Sequence, residues 1–460
     1  MKKQHRSKLA IIVISAALLQ SCFVAKNYES PDVKTDNLFR TAQTLDSTSM
    51  ASVSWDKLFT DPILQQYINQ GLVSNYDIKI ALQNLTAAEE NMKQGKAGYL
   101  PSLYGNASWL RQDFDKSNFD KSNFEQYELS GNLSWEADIW GKIRSNKRAS
   151  VAAYLQTVAA QQAIQTQLVA NIASTYYQLL ALDEQVKVAE ETLINRIESI
   201  ETIKALKTAG IVNEVSVKQT EAQKYATEII LKDLKYNVRI TENTLSILLG
   251  NTPQAIERGL FETQKITADI EVGIPALLLS RRPDVVSAEL NFRHSFELTN
   301  VARSNFYPSL MISASGGFQS LEIKDWFSAN SLFSSVLAGL TQPIFNQRKV
   351  KTGYHIAKAN QQKAYLQFEQ TLLLAGKEVS DAMADYENES EKLTIRTYKL
   401  DVLKKAAAYS DELLQYGLVN YLEVLTAKDG VLSTELELIN NKYRQMDAVI
   451  NLYKALGGGY

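Results

Sequence analysis

The side chain with the most distinctive chemistry is Cys22, the one cysteine in this chain of 460 residues. A lone thiol has no partner for a disulfide within the chain, so it is either free or modified. The residues before it carry basic side chains at the start and an apolar run over residues 9–19. This run is too short to cross about 30 Å of hydrocarbon. It predicts a secretory signal peptide over residues 1–21, with a short buried helix as the alternative.

The residues next to Cys22 predict that its thiol is acylated. Leu19 lies three positions before the cysteine and the small residue Ser21 lies directly before it, which is the arrangement of the bacterial lipobox. We therefore expect a covalent lipid on Cys22, palmitate included, with a free thiol as the alternative. Each buried acyl CH₂ contributes roughly 0.8 kcal/mol, so several acyl chains would hold the mature N-terminus at a membrane surface.

Few other side chains could act as catalysts or metal ligands. The three histidines, His5, His294 and His355, have no ligand-like neighbour at helical spacing, so no metal site is expected. The sequence contains neither the phosphate-binding pattern GxxxxGK[ST] nor the nucleophile pattern GxSxG. We therefore expect neither an enzyme nor a cofactor. The net charge of −2 implies no nucleic acid partner.

The chain also contains segments in which apolar and polar side chains alternate with a period of two residues. From Tyr127 to Ile139 each odd position is apolar or small, and from Gln126 to Asp138 each even position is polar. This is the period of a strand with one apolar face. The predicted strands cover residues 102–111, 126–139, 309–319 and 331–343. Between the first two, a tandem pentapeptide over residues 115–124 predicts a solvated loop.

A long helix is predicted after the first hairpin. Residues 142–209 contain neither glycine nor proline, so they predict one helix about 100 Å long at a rise of about 1.5 Å per residue. Its apolar residues from Leu179 to Ile200 recur at a mean step of 3.5, which is the coiled-coil period. Glycine can end a helix in the left-handed conformation. The chain is therefore expected to fold back at Gly210 into a second helix over residues 214–249.

A constant offset of 207 positions links the two halves of the chain. The matched pairs are Pro101 with Pro308, Leu133 with Leu340, and Gly210 with Gly417. One offset at three separate landmarks predicts an internal two-fold repeat. By this repeat, the helix that follows Gly417 covers residues 421–456.

Four strands are too few for one chain to form a closed barrel in lipid. No segment after the signal offers roughly 18 consecutive apolar residues, so a membrane crossing would use strands. An open sheet would leave backbone groups unpaired in hydrocarbon, so a barrel must be shared among subunits. A dimer gives about eight strands and a filled interior, whereas a trimer gives about twelve and a wide lumen. The predicted fold is mixed: a trimeric β-barrel, with four strands from each chain, continued by a long α-helical coiled-coil tunnel.

The chain contains five longer motifs: Trp55-x-x-Leu58-Phe59-x-Asp61-Pro62, Asn75-Tyr76-Asp77-Ile78-x-x-Ala81, WEADIWGKIR over residues 135–144, Ile274-Pro275-x-x-Leu278-Leu279-x-Arg281-Arg282-Pro283-Asp284, and YGLVNYLEVL over residues 416–425. All five resemble motifs of the TolC-like outer-membrane efflux family, in its lipoprotein (OprM/CusC/NodT-like) branch. The resemblance runs from the lipobox to about residue 456.

The resemblance implies an outer-membrane homotrimer that is anchored by lipid and extends into the periplasm. It implies the exit duct of a tripartite efflux system, joined through a periplasmic adaptor to an inner-membrane transporter of the RND type and surrounded by outer-membrane lipid. On this interpretation the chain divides into a signal peptide 1–21, a lipid-anchored segment 22–54, a periplasmic helix 55–98, barrel hairpin 99–139, long helices 140–249, an equatorial segment 250–282, a periplasmic helix 283–305, barrel hairpin 306–343, and long helices with a C-terminal segment 344–460.

The family also implies a role for the two glycine turns, which would form the periplasmic aperture and the tip where the adaptor docks. The residues expected there are Gly210, Val212, Asn213, Gly417, Val419, Asn420, Glu423 and Thr426. Family members commonly carry two aspartates that ring the aperture, and this chain keeps an acid at the first, Glu423, but has Thr426 at the second. A ring of carboxylates would attract cations, so the cation preference should be weaker here. The alternative is that Glu423 is an ordinary solvated helix residue.

A second group of residues is predicted to be structural. Its members are Arg281, Arg282, Pro283 and Asp284, with Pro101 and Pro308 at the entries to the hairpins. Proline suits the first turn of a helix, and an aspartate there favours the positive end of the helix dipole. Trp135 and Trp140 bracket the end of a strand and are expected in an aromatic belt at the bilayer interface, or packed against a neighbouring subunit.

Two other functions fit the same sequence features. The chain could be a lipid-anchored periplasmic coiled-coil scaffold that does not span the membrane. It could also be an outer-membrane duct for protein or glycolipid secretion. The sequence does not name a cargo.

Overall fold

The computed structural model describes residues 24–33, 38–40, 50, 53–116, 120–264 and 278–458, although not the side chains of 114–116, 120–123 and 278–279. The predicted signal peptide and lipidation site at Cys22 lie outside the described residues. Two compact units make up the fold. Unit 1 consists of Met1–Asp32, Leu85–Val158 and Ser287–Glu369 as far as they are described. Unit 2 consists of Val33–Asn84, Ala159–Val286 and Gln370–Tyr460 with the same restriction.

Most described residues are helical. The helices in chain order are α1 (Trp55–Leu58), α2 (Pro62–Ser74), α3 (Tyr76–Ala97), α4 (Lys142–Thr208), α5 (Glu214–Leu248), α6 (Leu278–Arg281), α7 (Pro283–Ser304), α8 (Lys349–Gln415) and α9 (Tyr421–Ala455). Short 3₁₀ turns cover Phe261–Thr263, Ile323–Asp325 and Ala329–Ser331. The long helices predicted over 142–209, 214–249 and 421–456 are confirmed, and each ends one residue earlier than predicted.

The long helices have matching lengths in the two halves of the chain. α4 and α8 each contain 67 residues, and α5 and α9 each contain 35. Lys142 and Lys349, which begin α4 and α8, are 207 positions apart, and so are Leu248 and Ala455, which end α5 and α9. The offset found in the sequence therefore recurs in the helix boundaries.

Four strands form one antiparallel sheet. They are β1 (Ser102–Lys116), β2 (Asp120–Ala137), β3 (Ser309–Ser320) and β4 (Leu332–Thr341), and they lie in the order β1-β2-β3-β4. The first and last strands therefore each pair on one side only within the described residues. Their other edges carry backbone N–H and C=O groups that a further strand could pair with.

The pairing register separates the sheet into an apolar face and a polar face. Residues directly opposed on antiparallel strands point to the same side. One row across the sheet consists of Leu103, Leu133, Ala314 and Val336. The next row, on the other face, consists of Tyr104, Asn132, Ser315 and Ser335. These two rows are thus apolar and polar across all four strands, although β4 also places Phe333 and Leu337 on the polar face.

The predicted loop over residues 115–124 is wrong. β1 continues to Lys116 and β2 begins at Asp120, and these two residues face each other across a three-residue connection. Polarity is a weak guide here, because backbone pairing can extend along a hairpin regardless of whether its side chains meet lipid or water. The predicted strand over 126–139 accordingly begins earlier and ends at Ala137.

The predicted coiled-coil seam of α4 is confirmed in part. Its members Leu179, Ala189 and Ile200 are buried, and Leu182, Val186 and Leu193 are half-buried. Ile197, however, is 48% exposed, whereas its neighbour Arg196 is only 4% exposed. A charged side chain can replace an apolar one in a seam when a carboxylate pairs with it, and Arg196 has such a partner in Asp429.

None of the described helices combines the length and apolarity needed to cross a bilayer.

Candidate functional site

Two glycine turns of unit 2 reverse the chain between its long helices. Gly210 and Gly417 have φ angles of +76° and +68°, a left-handed conformation that L side chains adopt at a cost. In each turn the residue after the glycine donates its backbone N–H to a carbonyl five positions back: Ile211 to Leu206 and Leu418 to Leu413, both at 3.0 Å. This closes the end of the preceding helix as in a Schellman motif.

The asparagines of both turns begin the returning helices. The Asn213 side-chain oxygen accepts the backbone N–H of Ser216 at 3.2 Å, and that of Asn420 accepts the N–H of Leu422 at 3.1 Å. N-caps of this kind contribute about 1 kcal/mol each. These two predicted tip residues thus have a structural role as helix caps.

One apolar cluster joins the two turns. Its buried members are Ile203, Val217, Leu414, Tyr421, Val424 and Leu425, and Leu206, Val212 and Val419 pack against it. The two valines predicted at the tip, Val212 and Val419, therefore contact the same core, so the two hairpin ends are held together within one chain.

The two residues predicted to line the aperture are exposed. Glu423 is the third residue of α9 and Thr426 is the sixth, and both side chains are exposed in the single chain. The Thr426 hydroxyl donates to the carbonyl of Leu422 at 2.9 Å. A carboxylate at a helix N-terminus is favoured by the helix dipole, so the position of Glu423 also fits the structural alternative.

Two polar contacts near the turns link the first helix pair to α9, and the sequence analysis missed both. The Arg196 guanidinium on α4 contacts the Asp429 carboxylate on α9. The Thr220 hydroxyl on α5 donates to the Tyr421 hydroxyl at 2.7 Å, and burial raises the pKa of Tyr421. An arginine within an otherwise apolar seam was the one available signal in the sequence.

An open cleft of about 680 Å³ lies beside these contacts. Side chains of α4, α8 and α9 line it, among them Glu191, Arg196, Lys404, Asp411, Lys428 and Glu435. The charges are mixed in sign and several are paired across the cleft, as in Lys404 with Glu435 at 2.7 Å and Lys428 with Asp411 at 2.8 Å. These pairs hold α8 and α9 together, and the cleft shows no convergent set of catalytic groups.

The Arg-Arg-Pro-Asp motif forms a buried ionic junction. Arg282, only 6% exposed, donates through Nε and Nη2 to both oxygens of Asp284, at 2.9 and 2.5 Å. Its Nη1 contacts the Glu378 carboxylate at 2.8 Å and donates to the carbonyl of Ala455 at 3.1 Å. Arg282 thereby ties the start of α7 to α8 and to the last residue of α9.

Electrostatics at this junction favour both charged forms. Burial alone would lower the pKa of Arg282, but the Asp284 and Glu378 carboxylates outweigh it and raise that pKa above its ordinary value. Burial alone would raise the pKa of Asp284, but the hydrogen bond and charge of Arg282 hold it below its usual value. Pro283 begins α7, as expected of a proline in the first helical turn.

The other two predicted prolines stand directly before strands. Pro101 precedes β1 and Pro308 precedes β3. The Trp140 indole N–H donates to the Pro308 carbonyl at 2.6 Å, and its ring lies 4.9 Å from that of Tyr307. The Trp135 indole donates to the carbonyl of Tyr99 at 2.9 Å. Both tryptophans therefore form contacts within one chain at the end of the sheet where these strands begin.

The described part of the chain contains no cluster of three or more histidine, cysteine, aspartate or glutamate side chains able to hold a metal ion. His294 Nδ1 lies 2.9 Å from the carbonyl of Ala149, and the His355 ring packs beside Tyr354. His5 and Cys22 lie outside the described residues.

Several known proteins resemble this chain over nearly its whole length. The sequence model of the family described as outer membrane efflux protein matches residues 67–251 and 274–458. The chain is 27% identical over 455 residues to the solvent efflux pump outer membrane protein SrpC of Pseudomonas putida, covering 96% of each protein. It is 26% identical to the probable outer membrane lipoprotein SilC of Salmonella typhimurium, covering 98% of this chain and 99% of SilC. A solved structure of the outer-membrane channel OprN matches it with a TM-score of 0.88 at 26% identity, over 95% of this chain and 99% of that one.

Proposed function

This chain belongs to the outer membrane efflux protein family, and from that premise we propose that it is the exit duct of a tripartite efflux system. Three copies would form a twelve-stranded barrel continued by a helical tunnel. The duct carries out no catalysis and needs no cofactor. Energy and cargo selection come from an inner-membrane transporter of the RND type, to which a periplasmic adaptor connects the duct.

The observation that carries this proposal is the two-faced sheet. The pairing register puts an apolar row such as Leu103, Leu133, Ala314 and Val336 on one side and Ser/Asn-rich rows on the other. Val336 is 77% exposed in the single chain, and Leu340 is 65% exposed. An exposed apolar face opposite a polar one is typical of a transmembrane β-barrel, whose strands face lipid on the outside and water on the inside.

The unpaired edges of the sheet argue for assembly. A four-stranded sheet in hydrocarbon would leave the outer edges of β1 and β4 without hydrogen-bond partners, at several kcal/mol for each group. Head-to-tail pairing of β4 with β1 of the next copy removes every edge once the ring closes. Three copies give about twelve strands and an aqueous lumen, whereas two give about eight and a filled one.

Left-handed turns support the proposed internal repeat. Eight described residues have positive φ angles, and six of them form three pairs that are each 207 residues apart: Gly141 with Arg348, Gly210 with Gly417, and Gly250 with Gly457. The other two are Arg40 and Gln347. We infer that the two halves are structurally equivalent, so each copy supplies two similar hairpins to the barrel and two similar helix pairs to the tunnel.

The ends of the helix pairs are the proposed docking tip. Ile211, Val215, Leu418 and Leu422 are each at least 46% exposed around the glycine turns. Exposed apolar residues at a turn suit contact with another protein, and the adaptor is the partner proposed here. In the trimer, three copies of Glu423 would surround the aperture and give a cation preference.

Membrane attachment is proposed at two places. The sheet would span the outer membrane, and a lipid on Cys22 would add an anchor. SilC is described as a lipoprotein, which supports the lipidation proposed from the lipobox. Trp140 and Tyr307 at the end of the sheet would lie in the interfacial aromatic belt.

Two neighbouring residues of β4 provide the test of a membrane-spanning sheet. Val336→Lys places a charge on the apolar face, at a cost of about 2–4 kcal/mol in the membrane centre for each copy. Ser335→Lys places the same charge on the polar face and is the matched control. We expect the first variant to lose the heat-modifiable oligomer in detergent extracts of outer membrane and the second to keep it. Equal behaviour of the two variants would favour the non-spanning scaffold.

Adaptor docking is tested at the glycine turns. Gly417→Val should reduce crosslinking to the adaptor and lower export, because a β-branched side chain resists positive φ. Gly353→Val is the control, since Gly353 also has open space around it but lies within α8. If export and crosslinking persist in Gly417→Val, the turn is not the docking tip.

A further inference from the structure

The N-terminal strap, defined as residues 24–30, lies along α7 in unit 1. Asn300 binds the strap backbone at both its donor and its acceptor: the Lys26 N–H donates to Asn300 Oδ1 at 3.1 Å, and Asn300 Nδ2 donates to the Lys26 carbonyl at 2.9 Å. A side-chain amide that pairs with both groups of one residue imitates a neighbouring strand. Asn300 thereby fixes the register of the strap through its contacts with the Lys26 backbone rather than through the Lys26 side chain.

Buried charge fixes the orientation of Asn300. Asn300 Nδ2 also donates to Glu297 Oε2 at 3.3 Å, and the Glu297 side chain is fully buried. Arg148 lies 3.6 Å from Glu297 and donates to the Asn27 side chain of the strap at 3.4 Å. A buried carboxylate without a cation is costly, so Arg148, Glu297 and Asn300 form one connected support for the strap.

Tyr28 adds an apolar contact to this support. Its ring packs edge-on against Phe292 and Phe296, with centroids at 5.8 and 5.6 Å. Its hydroxyl and that of Ser30 both donate to Glu289, at 3.2 and 2.5 Å. Burial and the nearby Glu289 carboxylate raise the pKa of Tyr28. Aromatic burial and hydrogen bonds thus hold the same segment at several points along the helix.

The start of the strap lies near the start of β3. Arg303, in the last turn of α7, donates to the Val24 carbonyl at 3.4 Å, and β3 begins at Ser309. Ala25 is 5% exposed beside Gly141, where an added Cβ would be 3.0 Å from that of Ala25. Val24 and Ala25 are thus held beside the end of α7, which precedes β3, and beside the turn at Gly141, which follows β2.

We propose that α7 presents a docking site for the N-terminal strap, and that the strap fixes where the lipid enters the membrane. Asn300, Arg303 and Glu289 are the positioning residues, with Glu297 acting through Asn300. The inference rests on the proposed acylation of Cys22 and the proposed membrane-spanning sheet. It adds that the protein itself, and not only the acyl chains, holds the anchored end beside the start of β3.

Trypsin cleavage after Lys26 measures docking in detergent solution, without requiring an intact duct. The Lys26 side chain is exposed, but a protease needs a locally detached backbone. Mass spectrometry of the acylated N-terminal peptide gives the cleavage rate. Asn300→Ala should raise this rate about tenfold, because loss of two hydrogen bonds shifts the opening equilibrium by that order. Asn305→Ala removes the same side chain from an exposed position just beyond α7 and should leave the rate unchanged.

A pair of substitutions at Tyr28 separates the ring contact from the hydroxyl contact. Tyr28→Ala should raise cleavage after Lys26 about tenfold, whereas Tyr28→Phe keeps the ring and should raise it by about threefold or less. If Asn300→Ala and Tyr28→Ala both cleave at the rate of Asn305→Ala, the strap is not held by α7 and the proposal is overturned.

The membrane location is tested separately in reconstituted vesicles. A fluorescent label on Lys26→Cys should be quenched by lipids that carry a quencher at the interface, since the lipidated Cys22 thiol cannot take the label. The same label on Lys204→Cys, close to the end of α4, should not be quenched. An unquenched label at position 26 would overturn the proposed location even if the strap is docked. If the protein gives both the cleavage and the quenching results but does not support export in cells, that failure counts against the proposed function and not against the docked strap.

Discussion

The two halves of the chain close the ends of their second long helices in the same way but with different side chains. In the first half, Asn75 Nδ2 donates to the carbonyl of Leu248, the last residue of α5, at 2.9 Å. In the second half, Arg282 donates to the carbonyl of Ala455, the last residue of α9, at 3.1 Å. Donors and acceptors are each offset by 207 positions. A neutral amide and a guanidinium therefore satisfy equivalent carbonyls.

The backbone next to these contacts is equally matched. Gly250 and Gly457 follow the two helices with φ angles of +75° and +89°. A Cβ added at either glycine would lie 2.6 Å from a carbonyl oxygen, that of Ser74 in one half and Arg281 in the other. The close approach of two backbone segments, rather than side-chain identity, is what the halves share.

The difference between the halves lies in charge. Asn75 caps α3 by accepting the N–H of Asp77 at 2.8 Å, whereas Arg282 pairs with Asp284 and Glu378. The second junction therefore gains charge-assisted hydrogen bonds, which are stronger than neutral ones, and with them a dependence on pH. The two halves thus keep the same backbone geometry although different side-chain chemistry supports it.

The largest effect is expected where backbones approach most closely. Gly250→Ala and Gly457→Ala should each lower the free energy of unfolding by about 2–5 kcal/mol, from the left-handed backbone and from overpacking against a carbonyl. Gly210→Ala and Gly417→Ala are controls with nothing within 4 Å of the added Cβ, so they should lose only about 1–2 kcal/mol. Thermal unfolding in detergent measures both sets, and equal losses would contradict the close-approach argument.

Replacing the charged donor should have the next largest effect. Arg282→Gln should lower the free energy of unfolding by about 1.5–3 kcal/mol, as expected for hydrogen bonds to charged groups, and Asn75→Gln by about 0.5–1.5. Denaturant unfolding at neutral pH checks this order. If Asn75→Gln is the more harmful change, the added charges do not strengthen the second junction.

Acid should also distinguish the two junctions. Because the folded protein holds the pKa of Asp284 below its ordinary value of 3.8, the ionised group adds stability that is complete above that value and is lost as pH falls below it. Arg282→Gln removes the cause of the shift and should flatten this part of the stability profile. An unchanged acid slope in the variant would assign the loss to other carboxylates.

A smaller effect of opposite sign is expected at the turns that follow the hairpins. Arg348, with φ of +64°, occupies the position that Gly141 occupies in the first half. A left-handed L residue costs about 1–2 kcal/mol, and glycine in the unfolded chain offsets about 0.4–1 of it. Arg348→Gly should therefore stabilise by about 0–1.6 kcal/mol, whereas Gly141→Ala should destabilise. A loss of stability in Arg348→Gly would show that the arginine side chain makes a contact worth more than the strain.

The smallest effect is expected at the tip, and in conductance rather than stability. Glu423→Gln should shift the reversal potential of the reconstituted duct in asymmetric salt towards lower cation preference, because it removes the carboxylates proposed to ring the aperture. Thr426→Asp should shift it the other way. Both exposed changes should alter the unfolding free energy by less than about 0.5 kcal/mol. Identical reversal potentials in all three proteins would remove the role proposed for Glu423.

Local patterns in the sequence determined most of the elements. Alternation predicted the strands, long stretches without proline predicted α4, α5, α8 and α9, and glycines predicted the reversals at Gly210 and Gly417. These features depend on backbone conformation and on which face of an element is apolar, and both are encoded within a few residues. The 207-residue offset added which elements correspond.

Tertiary structure decided the contacts between distant residues. The extension of the first hairpin to Lys116 and Asp120 and the hold of Asn300 on Lys26 have no local signal. The sequence shows Arg196 as a charge within an apolar seam, but it does not identify Asp429 as its partner. Each depends on which partner is brought near by folding: a paired backbone, a compensating carboxylate or an open amide. Periodicity indicates which face of a helix or strand is buried. The partner that stabilises a charged side chain or a polar strand on that face is determined only when distant parts of the chain pack together.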